Sequence, residues 1–324
     1  MLSPDSQVLL LLCSRLGLSE EAPVSPLTLR EWNLLAKKLQ AVSQRPGDLL
    51  SLNAEEIQGQ LALSEDESTR LVQLFDRIER LSRELERFAQ LDIRVVTRAD
   101  PGYPKRYLQR LKESAPPVLF YAGEPALLGQ PGIAVVGSRH LDPVGQECAT
   151  YVGNACGLSG LVLYTGGAKG VDTLSMDAAL EARGSAVCLL ADSLVRVIRQ
   201  ERVRSALDRG DLCLATPYGP DAGFSVGAAM GRNRLIYTLA DYAIVVASEA
   251  EKGGTWAGAN ETLKAGWIPV FVLDHPAMPA GNRELMKRGG LPFPYPFPVP
   301  YQQLREWLES RASQQSKGTQ LGLF

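Results

Sequence analysis

The sequence predicts a doubly wound α/β domain, preceded by a small helical domain and followed by a short helix and a flexible tail. From about residue 91, short apolar, β-rich runs alternate with glycine turns and helical stretches. This alternation is typical of a mostly parallel sheet with helices on both faces. Before that point the apolar residues follow helical spacing instead. We therefore expect domains at residues 1–90, 91–300 and 301–324.

Two capping-box signatures mark helix starts in the first ninety residues. Thr28 precedes Glu31 by three residues, and Ser64 precedes Glu67 in the same way. Each pair can satisfy free N–H groups in the first turn of a helix. Apolar residues then recur at helical spacing over residues 71–88, with Arg and Glu on the other face. The segment is expected to form a small helical bundle with a solvated, charged face.

The α/β domain contains candidate strands followed by a proline-rich segment. The candidate strands are "GIAVVGS", "LVLYTGG", "SAVCLLA", "DLCLATP", "YAIVVAS" and "IPVFVLD". In "LPFPYPFPVP", proline at every second position cannot serve a central strand. We expect an extended, polyproline-like spacer packed on the domain surface, and then a last helix at "YQQLREWLES".

Composition argues against several classes of function. The 324 residues are 45% hydrophobic and 22% charged, as in ordinary globular proteins. A net charge of -2 gives no bulk attraction for nucleic acid, so such binding requires a local cluster of Lys and Arg. The five cysteines lack CxxC spacing, and His140 and His275 are the only histidines. The sequence therefore offers few residues for a zinc site or for a histidine-based catalytic triad. We expect a cytoplasmic protein with reduced cysteines and without a metal, cofactor, signal peptide or membrane span.

Glycine-bearing loops follow several candidate strands, where helix N-termini present outward-facing N–H groups. The candidate phosphate-binding residues in four such loops are Gly137, Ser138 and Arg139; Thr165, Gly166, Gly167, Lys169 and Gly170; Arg232, Asn233 and Arg234; and Gly253, Gly254 and Thr255. Neither a GxGxxG nor a Walker motif is met. N–H nests with cations and without a carboxylate pair predict a surface that holds phosphates and does not cut bonds.

These loops leave alternatives open. The arginines have a structural alternative, in which they pair with local acids such as Asp172, Asp192 or Asp241. Phe224 and Trp256 lie in or beside the loops and could stack on bases, as in sequence-tolerant single-strand binding, or could pack in the core. The phosphates could belong to a nucleotide or to a nucleic-acid backbone.

Seven motifs in order over residues 92–295 resemble the DNA processing protein A, or Smf, family. They are "VVTRADPGYPKRY", "PPVLFYAGE", "AVVGSR", "TGGAKGVD", "GRNRLIYTLAD", "GGTWAGANETLKAG" and "GNRELMKRGGLPFP". The resemblance implies an extended Rossmann-like fold that binds single-stranded DNA, forms homodimers and hands the strand to the recombinase RecA, without catalysis. Natural transformation or recombinational repair would be the process. The implied DNA-holding residues are Gly137, Ser138, Arg139, Gly167, Lys169, Gly170, Arg232 and Arg234.

The helical N-terminal segment also resembles the family, whereas several other positions depart from its pattern. "LALSEDESTRL" is similar to the family's sterile-alpha-motif or helix-hairpin-helix-like domain. Lys169 replaces a common arginine, which keeps the charge but loses a bidentate fork. Ser175 and Met176 replace the usual "AH", and "ATP" replaces "SExP" at residues 215–217. A short helix and polar tail stand where many members carry a winged helix. The recombinase interface is therefore left open.

A second resemblance keeps an enzyme among the hypotheses. "GGTWAGANE" is similar to the GGxGTxxE loop of nucleotide-monophosphate phosphoribohydrolases, where Glu261 would be the catalytic carboxylate that helps to release a base from a ribose phosphate. Trp256 and Ala257 in place of the expected small turn argue against it, as does "GRNR". A nucleotide-sensing module of a defence or signalling system would use the same loops without chemistry.

The chain ends in "QLGLF", which is similar to the bacterial sliding-clamp-binding pentapeptide QLxLF. Gln320 would orient the peptide by a hydrogen bond. Leu321, Leu323 and Phe324 would each gain about 1.5 to 3 kcal/mol on burial in an apolar cleft. Ordering a flexible segment offsets much of this gain, which predicts weak, reversible capture in the micromolar range. The alternatives are a tail that folds back onto the domain and a chance match.

Overall fold

The computed structural model describes residues 2–19 and 23–321, and for residues 315–321 the backbone alone. The α-helices are α1 (Pro4–Cys13), α2 (Leu29–Ala41), α3 (Ala54–Leu61), α4 (Glu65–Phe75), α5 (Ile78–Ala89), α6 (Lys105–Leu111), α7 (Pro143–Ser159), α8 (Val171–Glu181), α9 (Leu194–Val197), α10 (Glu201–Asp208), α11 (Val226–Leu239), α12 (Gly253–Ala265), α13 (Ala280–Lys287) and α14 (Leu304–Leu321). The strands are β1 (Arg94–Thr97), β2 (Val118–Gly123), β3 (Gly132–Val136), β4 (Val162–Thr165), β5 (Ala186–Leu189), β6 (Leu212–Thr216), β7 (Tyr242–Val245), β8 (Val270–Asp274) and β9 (Leu291–Pro294). Short 3₁₀ helices lie at Pro46–Ser51, Lys112–Ser114, Pro125–Gly129 and Tyr301–Gln303.

The chain divides into two compact units. The helical unit comprises Met1–Ala122 and Thr216–Ala222, and the α/β unit comprises Gly123–Ala215 and Gly223–Phe324. Within the described ranges, every helix is too short or too polar to cross a membrane.

Both predicted capping boxes are confirmed in the helical unit. The Thr28 hydroxyl accepts from the Glu31 N–H at 3.3 Å, and the Thr28 N–H donates to the Glu31 carboxylate at 2.6 Å. Ser64 and Glu67 make the same pair of bonds at 3.2 Å and 2.8 Å. These caps begin α2 and α4, whose apolar faces close over α1 in one core.

The helical period predicted over residues 71–88 is interrupted where α4 ends and α5 begins, and Arg77 lies at this break. Arg77 is buried, and its guanidinium donates to carbonyls at the C-terminal end of α1, including those of Leu16, Leu11 and Ser14. Burial lowers the pKa of Arg77 to about 10, which leaves it charged at neutral pH. A cation is favourable here because helix C-termini carry partial negative charge. The contact fixes the loop that follows α1.

The helical unit also contains an antiparallel pair of strands that was not among the candidate strands. β1 and β2 pair from Arg94 opposite Tyr121 to Thr97 opposite Val118. The pair belongs to two of the motifs that carry the family resemblance.

The α/β unit confirms the predicted doubly wound, mostly parallel sheet. All six candidate runs form strands, and the strand order in this unit is β6-β5-β4-β3-β7-β8-β9. The neighbouring strands β3 to β9 pair in parallel. The chain winds outward from β3 to β6 and then returns to β7 on the other side of β3. This reversal is the topological switch point at which such sheets bind ligands.

The polyproline prediction is wrong for the first part of the proline-rich segment. β9 pairs with β8, with Pro292 opposite Val272 and Pro294 opposite Asp274. β9 lies at the edge of the sheet, where strands tolerate proline because one side needs no ladder hydrogen bonds. The rest of the segment packs on α7, since Phe297 stacks on Tyr151 at 4.2 Å.

The last helix is longer than the sequence predicted. α14 buries Leu304 and Leu308, and its backbone remains helical to Leu321, into the segment expected to be flexible. Leu323 and Phe324 lie outside the described residues, as do the side chains of Gln320 and Leu321. The clamp-binding peptide therefore stays a prediction.

Candidate functional site

A cleft of about 430 Å³ opens at the switch point of the α/β unit, between the carboxyl ends of β3 and β7. The predicted site residues that line it are Gly137, Ser138, Arg139, Arg232, Asn233, Gly253, Gly254 and Thr255. The predicted residues that do not line it are Thr165, Gly166, Gly167, Lys169, Gly170 and Arg234, although Ala168 and Asp172 from the same loop and helix do. Three of the four predicted segments thus contribute predicted residues to one cleft. The prediction of a loop is wrong for residues 232–234, which lie within α11.

The loop after β3 is fixed on both sides by main-chain bonds. The Ser138 N–H donates to the Ala247 carbonyl at 2.9 Å, and the Ser138 carbonyl accepts from the Val171 N–H at 3.3 Å. The next residue, Arg139, is exposed, and its guanidinium carbon lies 5.9 Å from the centre of the Phe224 ring. Phe224 is 51% exposed. A cation and an aromatic face are therefore presented together at the cleft.

Trp256 does not share this exposure. Its side chain is 7% exposed, and the Arg288 guanidinium covers the ring at 4.8 Å. The interpretation of Trp256 as a base-stacking residue is therefore wrong, and the alternative of core packing is confirmed.

Arg232 lies in the floor of the cleft and is only 6% exposed. Its guanidinium donates to the Leu189 carbonyl at the end of β5, and its charge acts on the Asp172 carboxylate. The side chain passes so close to Gly166 that a Cβ at that position would collide with the guanidinium. The structure thus places Arg232 in the structural role that the sequence analysis left open for the arginines.

Asp172 completes this buried floor. Its carboxylate accepts from the N–H groups of Gly166 at 3.2 Å and Ala168 at 3.3 Å. Burial raises the pKa of Asp172 to about 6, although Arg232 and the two N–H groups favour the ionised form. The carboxylate therefore ties the loop after β4 to α8 and to Arg232.

The N-terminus of α12 opens at the cleft without a side-chain cap. Two other helix starts near the cleft are capped: Asp142 accepts from the Gly145 N–H at 2.7 Å for α7, and Ser225 accepts from the Ala228 N–H at 3.0 Å for α11. The start of α8 at Gly170, like that of α12, has no side-chain cap. At α12 the N-cap residue is Lys252, whose side chain makes no such bond. Free N–H groups at a helix start favour anions.

Two residues of this region were not among the predicted site residues. Lys252 is exposed and lines the cleft; its place directly before the glycine pair could have indicated it. Asn282 is buried and holds the loop after β7, since it accepts from the Ser248 N–H at 2.8 Å and donates to the carbonyls of Val246 and Leu273 at 2.9 Å. Asn282 lies in the "GNRELMKRGG" motif.

Glu261, the candidate catalytic carboxylate of the enzyme hypothesis, is not among the residues that line the cleft. It is exposed and lies in a separate surface depression with Trp267. In the part of the chain that the structure describes, no group of three or more His, Cys, Asp or Glu side chains could hold a metal ion.

The sheet and the cleft together define a doubly wound α/β protein whose switch-point crevice suits an anionic, phosphate-bearing ligand. The sequence specifies the family. The chain belongs to the DNA recombination-mediator protein A family, whose model matches residues 94–292. This membership assigns the protein to DNA processing in recombination.

Individual relatives agree with the family assignment. The DNA processing protein DprA of Streptococcus pneumoniae is 29% identical over 216 residues, which cover 64% of this chain and 72% of that protein. The X-ray structure of DprA from S. pneumoniae matches with a TM-score of 0.66 at 23% identity, covering 82% of this chain and 90% of that one. A Helicobacter pylori DNA processing protein A structure, whose subject is its single-stranded DNA binding mode, matches with a TM-score of 0.52 at 23% identity, covering 62% and 90%. These two structures support the fold.

Proposed function

We propose that this protein binds single-stranded DNA in the switch-point cleft. The observation that carries the proposal is the placement of exposed Arg139, exposed Phe224 and the uncapped start of α12 around one cleft. Phosphates would bind Arg139, Lys252 and the N–H groups of Gly253 and Gly254, while a base would stack on Phe224. Such a combination of backbone charge and aromatic stacking is sequence-tolerant. Family membership and the subject of the H. pylori structure support DNA as the ligand.

The remaining predicted residues receive different roles in this proposal. Gly137 and Ser138 shape the wall beside Arg139, and Asn233 packs against Gly254. Arg232 organises the floor and does not reach the strand, because it is buried. Lys169 is exposed in the neighbouring loop, with Gly167 and Gly170, and would contact a phosphate beyond the cleft. Thr165, the last residue of β4, and Gly166 are buried, and Arg234 is half-buried on α11.

We also propose that the protein acts as a homodimer and passes the strand to RecA, in natural transformation or in repair. The support for these steps is the family to which the chain belongs. The departures at Ser175, Met176 and residues 215–217 leave the surface for the recombinase unassigned.

Replacing Arg139 or Lys252 by alanine is expected to weaken binding of all single-stranded sequences alike. Each lost phosphate contact should reduce the slope of log affinity against log salt by about 0.7. Fluorescence anisotropy with oligonucleotides of two unrelated sequences, across a salt series, measures both effects.

Lys264→Ala is the matched control for Lys252→Ala, because Lys264 is exposed on the same helix but outside the cleft. Unchanged binding in both cleft variants, with folding intact, would show that the cleft is not the DNA site. Mononucleotide binding and base-release assays run beside these measurements. Tight mononucleotide binding without retained DNA would favour the nucleotide-sensor or phosphoribohydrolase alternatives and contradict the proposal.

We further propose that "QLGLF" recruits the protein to the bacterial sliding clamp. Deletion of residues 320–324 is expected to abolish clamp capture and to leave single-strand binding unchanged, because the tail and the cleft would act separately. A pull-down on immobilised clamp measures capture. A variant with the same five residues in scrambled order is the matched control, and it should also fail to bind the clamp. Undiminished clamp capture after the deletion would contradict the proposed role of "QLGLF".

A further inference from the structure

The helical unit carries a second concentration of positive charge, apart from the residues of the proposed DNA-binding cleft. Arg15, in the loop after α1, and three arginines of α5, Arg80, Arg83 and Arg87, line one open groove of about 770 Å³. All four are exposed. The whole chain has a net charge of -2, so this arginine groove is a local departure from the average.

The α5 arginines lie on one face of the helix. Arg80, Arg83 and Arg87 follow the i, i+3, i+7 spacing that places side chains on the same side. At 1.5 Å per residue they span about 10 Å along the helix axis. Charges in such a row can meet an extended polyanion at several points.

The acids in the groove neutralise only one of these arginines. Glu84 and Asp221 both bond Arg87, at 2.7 Å and 2.9 Å. These bonds raise the pKa of Arg87. In the described part of the chain, the side chains of Arg15, Arg80 and Arg83 form no ion pair. Among the described residues, three guanidinium groups of the groove therefore have no acidic partner and can meet an external anion.

The groove is rigid because the loop after α1 is fixed from beneath. Buried Arg77 binds the carbonyls of Ser14 and Leu16, on either side of Arg15. Gly17 adopts a φ of 72° and lies against α5 so closely that a Cβ there would be 3.0 Å from the Leu81 nitrogen. Only glycine adopts this conformation at this distance readily. Arg15 is thereby held at the start of α5, so the arginines are positioned before any ligand arrives.

We propose that the arginine groove binds the phosphate backbone of nucleic acid, as a second contact surface in addition to the cleft. Guanidinium groups pair with phosphate oxygens through two parallel N–H bonds. None of the described residues that line the groove is aromatic, so it would hold the backbone and not the bases. The inference rests on the proposed function for the identity of the polyanion.

The test is single-strand binding by the full-length double variant R80Q/R83Q across a salt series. The expected result is a salt slope lower by about 1.4, since about 0.7 is lost with each phosphate contact. R199Q/R204Q is the matched control, because it removes the same charge from two exposed arginines of the α/β unit. The control should keep the wild-type slope, and R80K/R83K should restore much of the binding.

The outcomes separate this inference from the proposed function. If R139A is impaired and R80Q/R83Q keeps the wild-type slope, the arginine groove serves an acidic protein or no ligand, and the inference is overturned while the cleft stands. If R80Q/R83Q is impaired and R139A is not, the groove is supported and the cleft is overturned. A wild-type protein that retains no strand would overturn both.

Discussion

Replacement of Arg232 by alanine is expected to lower the free energy of unfolding by about 3 to 5 kcal/mol. Arg232 is buried beside the Asp172 carboxylate and donates to the Leu189 carbonyl. Truncation would leave a buried carboxylate without its cation and a carbonyl without that donor. Both losses cost stability because the two groups are buried in the folded protein and lose their partner.

Urea denaturation at neutral pH measures this change, with Arg139→Ala as the matched control. Arg139 is exposed, so its truncation should alter stability by no more than about 0.5 kcal/mol. The two variants are thus expected to show different defects: Arg232→Ala loses stability, and Arg139→Ala loses DNA affinity. Equal stability of Arg232→Ala and the wild type would contradict the structural role of Arg232.

Asp172 is expected to make the protein less stable as the pH rises from about 4 to about 7. Burial raises the pKa of its carboxyl to about 6 from an ordinary value of 3.8. Between these pH values the folded state holds a proton that the unfolded state has released. The stabilisation from this proton is therefore complete below pH 3.8 and is lost as the pH rises through 6. The rise of the pKa from 3.8 to about 6 corresponds to about 3 kcal/mol.

The Asp172→Asn variant isolates this contribution, because asparagine keeps the shape and does not titrate. Free energies of unfolding are measured for both proteins across the same pH range. The difference between them should change by about 3 kcal/mol over the range, with the wild type losing more stability at higher pH. Parallel pH profiles would show that Asp172 titrates normally in the folded state.

The central strands could be predicted because strands of a parallel sheet are buried on both faces and form continuous apolar runs. β1 and β2 were missed as strands, although their motifs were recognised. β9 was misassigned because alternating proline excludes a central strand but not an edge strand. The helix starts at Thr28 and Ser64 followed from local hydrogen bonding alone, which needs no knowledge of the tertiary structure.

The site was predicted at the level of loops and less well at the level of side chains. Arg139 and Arg232 look alike as cations near glycine, yet one is exposed and the other buried. The position of Arg232 around the helix distinguishes it from Arg139, because Arg232 lies on the buried face of α11 with Leu235, Ile236 and Leu239. Asn282 could not be assigned, because its three partners come from two different strand ends.

The close approach of Arg232 to Gly166 couples two positions that lie on different elements of the fold. A side chain at 166 requires the guanidinium at 232 to move aside, and loss of the arginine leaves the buried Asp172 carboxylate without its cation. Replacement of either residue therefore disturbs the contacts of the guanidinium in the floor of the cleft. Gly166 and the arginine of "GRNR" are therefore coupled positions, and engineering of this cleft has to consider them together.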